Sequence, residues 1–301
     1  MGAGTGSSPL GYNERMDARP ATYTSPMTGE PTRPLDLLVL ASGSKGNASI
    51  VVDRASGRAL LIDCGICKRD FLERCFQLGF DPARIEAILI THEHTDHTKG
   101  LGVVLRGLAK RGVHPVLYAS SLVRSASTNI QQVEELCDQR TFCAGDALSL
   151  AGMQVFPFHT SHDAAESFGF RVETSGAGAN DVLGFMTDTG IVTGEAHEAL
   201  TGARILAVEC NHDEKMLRDG PYPWVLKQRI ASADGHLSNA QGADEVLGLL
   251  HGGLEHVIAM HISENNNTYG IPVRTLKALL EHEGHDATVQ AALQHGPVYV
   301  E

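Results

Sequence analysis

The stretch that decides the fold is Thr91-His92-Glu93-His94-Thr95-Asp96-His97, which directly follows residues 85–90, a segment that is apolar except for Glu86. It brings three imidazoles and a carboxylate together just past a predicted buried strand, residues 85–91. Imidazole nitrogens and carboxylate oxygens are ligands for zinc, manganese and iron. A loop that turns into a helix can direct His92 and His94 to one ion and Asp96 and His97 to a second. We therefore predict a metal centre at the end of this strand.

Further potential ligands follow later strands. Residues 153–159, 180–187 and 256–260 are predicted strands, and His162, Asp188 and His261 lie just past them. Loops at the ends of strands are common positions for functional sites. Because a carboxylate has two oxygens, Asp188 can bridge two cations. His159, three residues before His162, is an alternative ligand.

These residues form two predicted ligand sets that share Asp188. The first set is His92, His94, His162 and Asp188, and the second is Asp96, His97, Asp188 and His261. Each set leaves a position open for a shared hydroxide, which would act as the nucleophile. The ligand types suit two divalent ions per chain, either Zn²⁺ or Mn²⁺.

The chain as a whole has 301 residues, of which 42 % are hydrophobic, so a substantial core is expected. Strands alternate with helices, which is typical of the α/β class. Residues 1–34 are rich in Gly, Ser, Thr and Pro and are predicted to be a disordered tail. Residues 35–301 are predicted to form one domain. No apolar run reaches the roughly eighteen residues of a membrane span and no signal peptide is visible, so we expect a cytoplasmic protein.

The charge distribution is uneven. The formal net charge of −12 disfavours a generally basic surface for nucleic acid. Residues 97–133, however, contain no Asp or Glu. The basic residues in this segment are Lys99, Arg106, Lys110, Arg111 and Arg124. They form either a local binding surface beside the metal centre or an ordinary solvated face.

The ligand pattern resembles that of the metallo-β-lactamase superfamily over residues 35–301. The resemblance implies a four-layer αββα sandwich. It also implies that Asp63, in Leu61-Ile62-Asp63-Cys64-Gly65, accepts a hydrogen bond from a metal ligand.

Five further fragments, in the same order, resemble the YycJ/WalJ-like branch of this superfamily. They are Ser42-Gly43-Ser44-Lys45-Gly46-Asn47, Ser161-His162-Asp163, Asn211-His212-Asp213, Gly235-His236-Leu237-Ser238-Asn239 and His261-Ile262-Ser263-Glu264-Asn265-Asn266. The branch implies a phosphodiesterase, with 5′-to-3′ exonuclease activity on DNA.

His236 bears on the reaction class. It precedes a predicted helix that Ser238 or Asn239 can cap. This resembles the histidine motif of the tRNA-processing ribonuclease Z group, which implies a role at the scissile phosphate. We predict that His236 protonates the leaving alkoxide and that Asp96 is the second catalytic residue. The alternative for His236 is a residue that only caps or packs.

Five residues are candidates for binding substrate. Ser44 and Asn47 lie in a glycine-punctuated loop that either offers N–H groups to phosphate or forms a simple tight turn. His212 has either a substrate contact or a structural role. Asn265 and Asn266 follow His261 and are expected near the pocket.

The function that these predictions favour is a dinuclear phosphodiesterase acting on nucleic acid, most specifically a 5′-to-3′ DNA exonuclease. A small-molecule hydrolase of a cyclic phosphodiester, a thioester or a lactone is the alternative. A non-catalytic regulatory or scaffold protein is a third hypothesis, against which the full ligand set argues.

Overall fold

A computed structural model describes residues 34–174 and 181–301. The predicted tail, apart from Pro34, and the start of the predicted strand 180–187 lie outside these ranges. The strands are β1 (Leu35–Ala41), β2 (Ala48–Asp53), β3 (Ala59–Ile62), β4 (Ile85–Leu89), β5 (Val116–Tyr118), β6 (Gln139–Arg140), β7 (Leu148–Leu150), β8 (Met153–His159), β9 (Phe168–Thr174), β10 (Val182–Met186), β11 (Ile205–Glu209), β12 (His256–Met260), β13 (Thr288–Ala291) and β14 (Val298–Val300).

The helices connect and cover these strands. They are α1 (Lys68–Gln77), α2 (Thr95–Thr98), α3 (Leu101–Ala109), α4 (Ser121–Ala126), α5 (Thr128–Gln131), α6 (Gly194–Leu200), α7 (Glu214–Asp219), α8 (Trp224–Ile230), α9 (Asn239–Gly248) and α10 (Gly270–His282), with a 3₁₀ turn at Pro82–Arg84. Within the described ranges, every helix is too short or too polar to span a lipid bilayer.

The strands form two mixed sheets. Their orders are β14-β1-β2-β3-β4-β5-β6 and β13-β12-β11-β10-β9-β8-β7. In the first sheet β3 to β6 run parallel, and in the second β10 to β13 run parallel. The carboxyl ends of parallel strands meet at one edge of a sheet. Accordingly, the polar residues that follow β3, β4, β10, β11 and β12 lie at such edges.

Two apolar cores hold the sheets and helices together. Successive side chains along a strand of the second sheet point to opposite faces: Ile258 and Met260 join side chains of the first sheet, while Val257 and Ala259 pack with α9 and α10. Phe71 of α1 belongs to the core that contains both sheets. The layers are therefore helix, sheet, sheet and helix, and the predicted αββα sandwich is confirmed. Because one core contains both sheets, we propose that residues 35–301 are a single domain.

The predicted elements differ from the observed ones mainly at their ends and between strands. Strands 153–159, 205–209 and 256–260 have the predicted bounds. Strand 85–91 ends earlier, at Leu89, because the backbone N–H of Thr91 donates to Asp63 instead of continuing the ladder. Helix α8 was not predicted, since none of its residues is buried and its sequence has no apolar stripe for a core.

Candidate metal centre and its pocket

The chain turns sharply where three predicted site residues follow their strands. Asp63, Asp188 and His261 have φ angles of 59°, 56° and 52°, in the left-handed region. Among the described residues, Ala151 is the one other non-glycine residue with positive φ. This conformation costs about 1–3 kcal/mol and persists where the surroundings determine it, commonly at functional sites. These turns thus mark three strand ends as parts of a functional site.

The first predicted ligand set is brought together in space. One ring nitrogen from each of His92, His94 and His162 lies within 4.8 Å of the others. Their ring centroids are 4.6–5.1 Å apart, and the rings meet edge-on at 71–79°. Three imidazoles around a common point are a donor set that zinc binds in proteins.

The second set lies beside the first and is connected to it by Asp188. Potential ligand atoms of Asp96, His97 and His261 lie within 4.8 Å of one another. Asp188 Oδ2 lies 3.5 Å from His97 Nε2, and its Oδ1 lies 3.9 Å from His162 Nε2. The Asp188 carboxylate therefore lies between the two groups, one oxygen toward each.

Four of the histidines have their Nδ1 atom engaged, which leaves Nε2 as the ring atom for coordination. Thr91 Oγ1 lies 2.9 Å from Nδ1 of His92, and Nδ1 of His97 donates to Asp63 over 2.7 Å. His162 donates to the Gly235 carbonyl over 3.1 Å, and His261 donates to Glu209 over 3.0 Å. Such partners orient metal-binding imidazoles and select their tautomer.

The residues of this centre fit divalent cations. His92 Nε2, His261 Nε2 and Asp188 Oδ2 are buried and have no hydrogen-bond partner within the described part of the chain. Buried polar atoms are almost always satisfied, so three exceptions in one cluster require an explanation. Coordination of ions by these atoms would provide it.

The pKa values of two histidines also indicate a site that favours cations. Burial alone would lower the pKa of His97, but the carboxylates of Asp63, Asp188 and Asp96 raise it to about 9. The pKa of His261 is also raised, because Asp188 and Glu209 outweigh the effect of burial. The carboxylates around His97 and His261 therefore favour positive charge there, whereas burial lowers the pKa of His92 and His162 in the first group.

Glu209 is a functional residue that the sequence analysis missed. Its side chain is fully buried, and its Oε1 accepts hydrogen bonds from Nδ1 of His236 over 2.8 Å and of His261 over 3.0 Å. Burial opposes ionisation, but His236 and His261 hold the pKa of Glu209 well below its usual range. A signal was present in the sequence, because Glu209 ends an otherwise apolar strand between strands that lead to Asp188 and His261.

A cavity of about 230 Å³ opens onto the centre. His236 lies in it, with its ring centroid 5.1 Å from those of both His162 and His261. One side of the pocket is lined by His94, Asp96, His162, Asp188, His236 and His261, and another by Tyr222, Leu226, Arg229 and Ile230. The predicted proton donor and the two ligand groups thus share one pocket.

Comparison with known proteins supplies the family. Residues 58–262 match the family model described as a β-lactamase superfamily domain. This chain belongs to that superfamily. It is 33 % identical over 250 residues to the protein named exodeoxyribonuclease YycJ of Bacillus anthracis, covering 83 % of this chain and 90 % of that protein. It is 32 % identical over 231 residues to exodeoxyribonuclease WalJ of Streptococcus pneumoniae serotype 2, covering 76 % and 82 %. The YycJ/WalJ-like branch is thereby established.

The fold agrees with the superfamily assignment. The metallo-β-lactamase fold protein YhfI of Bacillus subtilis superposes with a TM-score of 0.64 at 16 % identity, covering 89 % of this chain and 100 % of that one. At this identity the likeness concerns the fold alone.

Of the five residues predicted to bind substrate, the structure places one in the pocket lining. Ser44 lines the pocket. Asn47 is buried, with Nδ2 2.9 Å from His97 Nε2 and 3.4 Å from Asp96 Oδ2, so it contacts the predicted ligands instead of lining the pocket. His212 is buried and forms a β-bridge with Ser238.

The two asparagines differ as well. Neither lines the pocket: Asn266 is 1 % exposed, whereas Asn265 is exposed and its Nδ2 donates to the Tyr222 hydroxyl, a pocket residue, over 2.8 Å. The alternative ligand His159 is half-exposed and lies near Glu166 and Glu195, away from the imidazole cluster. Four basic residues of the acid-free segment 97–133 are exposed and do not line the pocket, namely Lys99, Arg106, Lys110 and Arg111.

Proposed function

We propose that this protein is a metal-dependent nuclease that degrades DNA from the 5′ end toward the 3′ end. Two observations support the proposal. Its relatives over most of its length are named exodeoxyribonucleases. The observation that supports the mechanism is the position of His236. Its Nδ1 donates to Glu209, and it lines the same pocket as residues of the two ligand groups.

We further propose two divalent ions per chain, either Zn²⁺ or Mn²⁺. His92, His94, His162 and Asp188 would hold one, and Asp96, His97, Asp188 and His261 would hold the other. When bound, the ions supply a water molecule of lowered pKa as nucleophile and positive charge for the phosphoryl oxygens.

The protein's own side chains would position and protonate the reacting groups. Asp96 lines the pocket and would accept a hydrogen bond from the attacking water. Glu209 occupies Nδ1 of His236, which leaves Nε2 to donate a proton to the leaving alkoxide. Asp63 holds His97 through its Nδ1 and thereby keeps that ligand in place.

The proton donor favours a phosphodiester over a thioester. An alkoxide leaving group is a strong base and needs a proton as the P–O bond breaks. A thiolate is a far weaker base and leaves without one. His236 would have little purpose in a thioesterase, which makes the small-molecule alternative weaker for that substrate class.

The test uses duplex DNA that is phosphorylated at the 5′ end and labelled at the 3′ end of the same strand. The metal-loaded protein should shorten the labelled strand stepwise from its 5′ end. Parallel assays offer RNA of the same sequence, a thioester and a lactone. Intact DNA together with turnover of the thioester or lactone would refute the proposal, and degradation of RNA alone would change the substrate.

A further inference from the structure

Helix α8 has apolar side chains that are not buried in the core of the fold. None of its seven residues is buried, and Trp224 and Val225 are 71 % and 79 % exposed. Leu226 and Ile230, on the other hand, line the pocket, together with Tyr222 just before the helix. Packing within the fold therefore does not explain why this segment is apolar.

The pocket has two unlike surfaces as a result. Imidazoles and carboxylates form one, and Tyr222, Leu226 and Ile230 form the other. Each of these three side chains is half-buried and so keeps surface available within the pocket. Phosphodiester hydrolysis does not itself require an apolar surface, whereas binding a flat, poorly hydrated group does. Nucleobases bind to such aromatic and apolar surfaces with little dependence on sequence.

We propose that Tyr222, Leu226 and Ile230 form a subsite for the nucleobase next to the scissile phosphodiester. This inference rests on the proposed nuclease function and names the group that the site recognises. The cavity of about 230 Å³ is smaller than the pockets of about 300–1,000 Å³ that enclose drug-sized ligands. It therefore has no room for more than the terminal part of one strand.

Two polar contacts orient this subsite. The Tyr222 hydroxyl accepts a hydrogen bond from Asn265 Nδ2 over 2.8 Å, which limits rotation of the ring. Arg229 pairs through Nε with Asp163 Oδ2, while Asp163 Oδ1 lies 3.5 Å from His162 Nε2. The Arg229 side chain remains 61 % exposed. It lines the pocket and is connected through Asp163 to the predicted ligand His162, so it would be available to contact the phosphate of a nucleotide in the subsite.

The experiment compares two short 5′-phosphorylated oligothymidylates that differ only at the terminal residue, which is thymidine in one and abasic in the other. Phosphorothioate linkages prevent cleavage by the metal-loaded protein, and affinity is measured by fluorescence anisotropy. Because the two oligonucleotides carry the same charge, the difference between their affinities measures the contribution of the terminal base. Loss of the base should weaken binding by about 5- to 150-fold, which corresponds to about 1–3 kcal/mol.

Variants assign that difference to the subsite. Tyr222→Ala should bind the two oligonucleotides with nearly equal affinity, and Tyr222→Phe should retain most of the discrimination. Phe76→Ala is the matched control, because Phe76 is an exposed aromatic residue, 84 % exposed, on α1 outside the pocket lining. This control should discriminate as the wild type does.

The outcomes separate this inference from the nuclease proposal. Equal affinity of the wild-type protein for the two oligonucleotides would overturn the base subsite, as would wild-type discrimination by Tyr222→Ala. If DNA is still degraded in either case, the nuclease proposal stands. A wild-type protein that neither binds nor degrades DNA overturns both.

Discussion

The two sides of the pocket are built on different principles. The side with the predicted ligands is rigid: the Asp188 side chain is 3 % exposed, and most of the imidazoles are fixed through Nδ1. The other part of the lining comes from a short helix with no buried residue, on which Arg229 is 61 % exposed. Precise positions matter for metal ions and proton transfer, while a surface that receives a flexible strand tolerates adjustment. Under the two proposals, this difference separates the groups that would perform the reaction from those that would select the substrate.

We expect the largest loss of activity when the carboxylate between the two ligand groups is removed. Asp188→Ala should reduce nuclease activity to background, because it removes a ligand from both predicted ions and leaves their mutual repulsion unscreened. Circular dichroism should show a retained fold. Asp244→Ala, at an exposed position of α9, is the control and should keep full activity. A fully active Asp188→Ala protein with both ions bound would show that Asp188 is not the bridge.

Replacing the proposed proton donor should have the next largest effect. His236→Ala should keep its metal content but hydrolyse DNA about 10²- to 10⁴-fold more slowly. Bis-p-nitrophenyl phosphate has a good leaving group, so its hydrolysis should be much less affected. Rates on both substrates are measured with the same protein preparation. Equal losses would assign His236 to positioning or to the metal centre, and unchanged rates would leave it a structural residue.

Glu209 sharpens the comparison, since it connects the proposed donor to a predicted ligand. Glu209→Gln keeps the shape of the side chain but removes the negative charge that accepts from His236 and His261. Activity or metal affinity should fall by about 10- to 100-fold, as is typical when the partner of a metal-binding imidazole is lost. Steady-state rates and competition with a chelator provide the two measurements. Wild-type values for both would show that Glu209 does not support these imidazoles.

The smallest expected effect lies outside both sides of the pocket. Arg106 and Lys110 are exposed and four residues apart, on α3 and at its end. If DNA extends over this surface, Arg106→Gln with Lys110→Gln should flatten the dependence of log affinity on log salt by about one to two units. Arg274→Gln with Lys277→Gln makes the same charge change on α10 and should leave the slope unchanged. Equal slopes for the wild type and both double variants would exclude α3 from the binding surface.

The sequence predicted which of these potential ligands come together in space, for a physical reason. His92, His94, Asp96 and His97 lie within one short segment, and the other ligands come directly after strands whose apolar pattern is easily recognised. The sandwich is implied by the same pattern together with the family resemblance. Local chemistry and strand periodicity are both properties that a sequence displays directly.

The missed features depend on tertiary structure. Glu209 was visible as an acidic strand end, but its contacts with His236 and His261 require that β11 lie between β10 and β12. None of the residues of helix α8 is buried, so its sequence has no apolar stripe facing the core from which the helix could be predicted. Asn47 was a candidate to offer its backbone N–H to phosphate, with a simple tight turn as the alternative, yet that N–H donates to the Asp96 carbonyl over 2.8 Å and the side chain lies beside His97.

The central claim is that two ions share the Asp188 carboxylate, and elemental analysis tests it most directly. The protein is stripped by mild chelation, reloaded with Zn²⁺ or Mn²⁺ and freed of unbound metal before its metal content is measured. We predict close to two equivalents per chain for the wild type and fewer for Asp188→Ala. A reproducible single equivalent in the wild-type protein at saturating metal would contradict the shared-carboxylate centre.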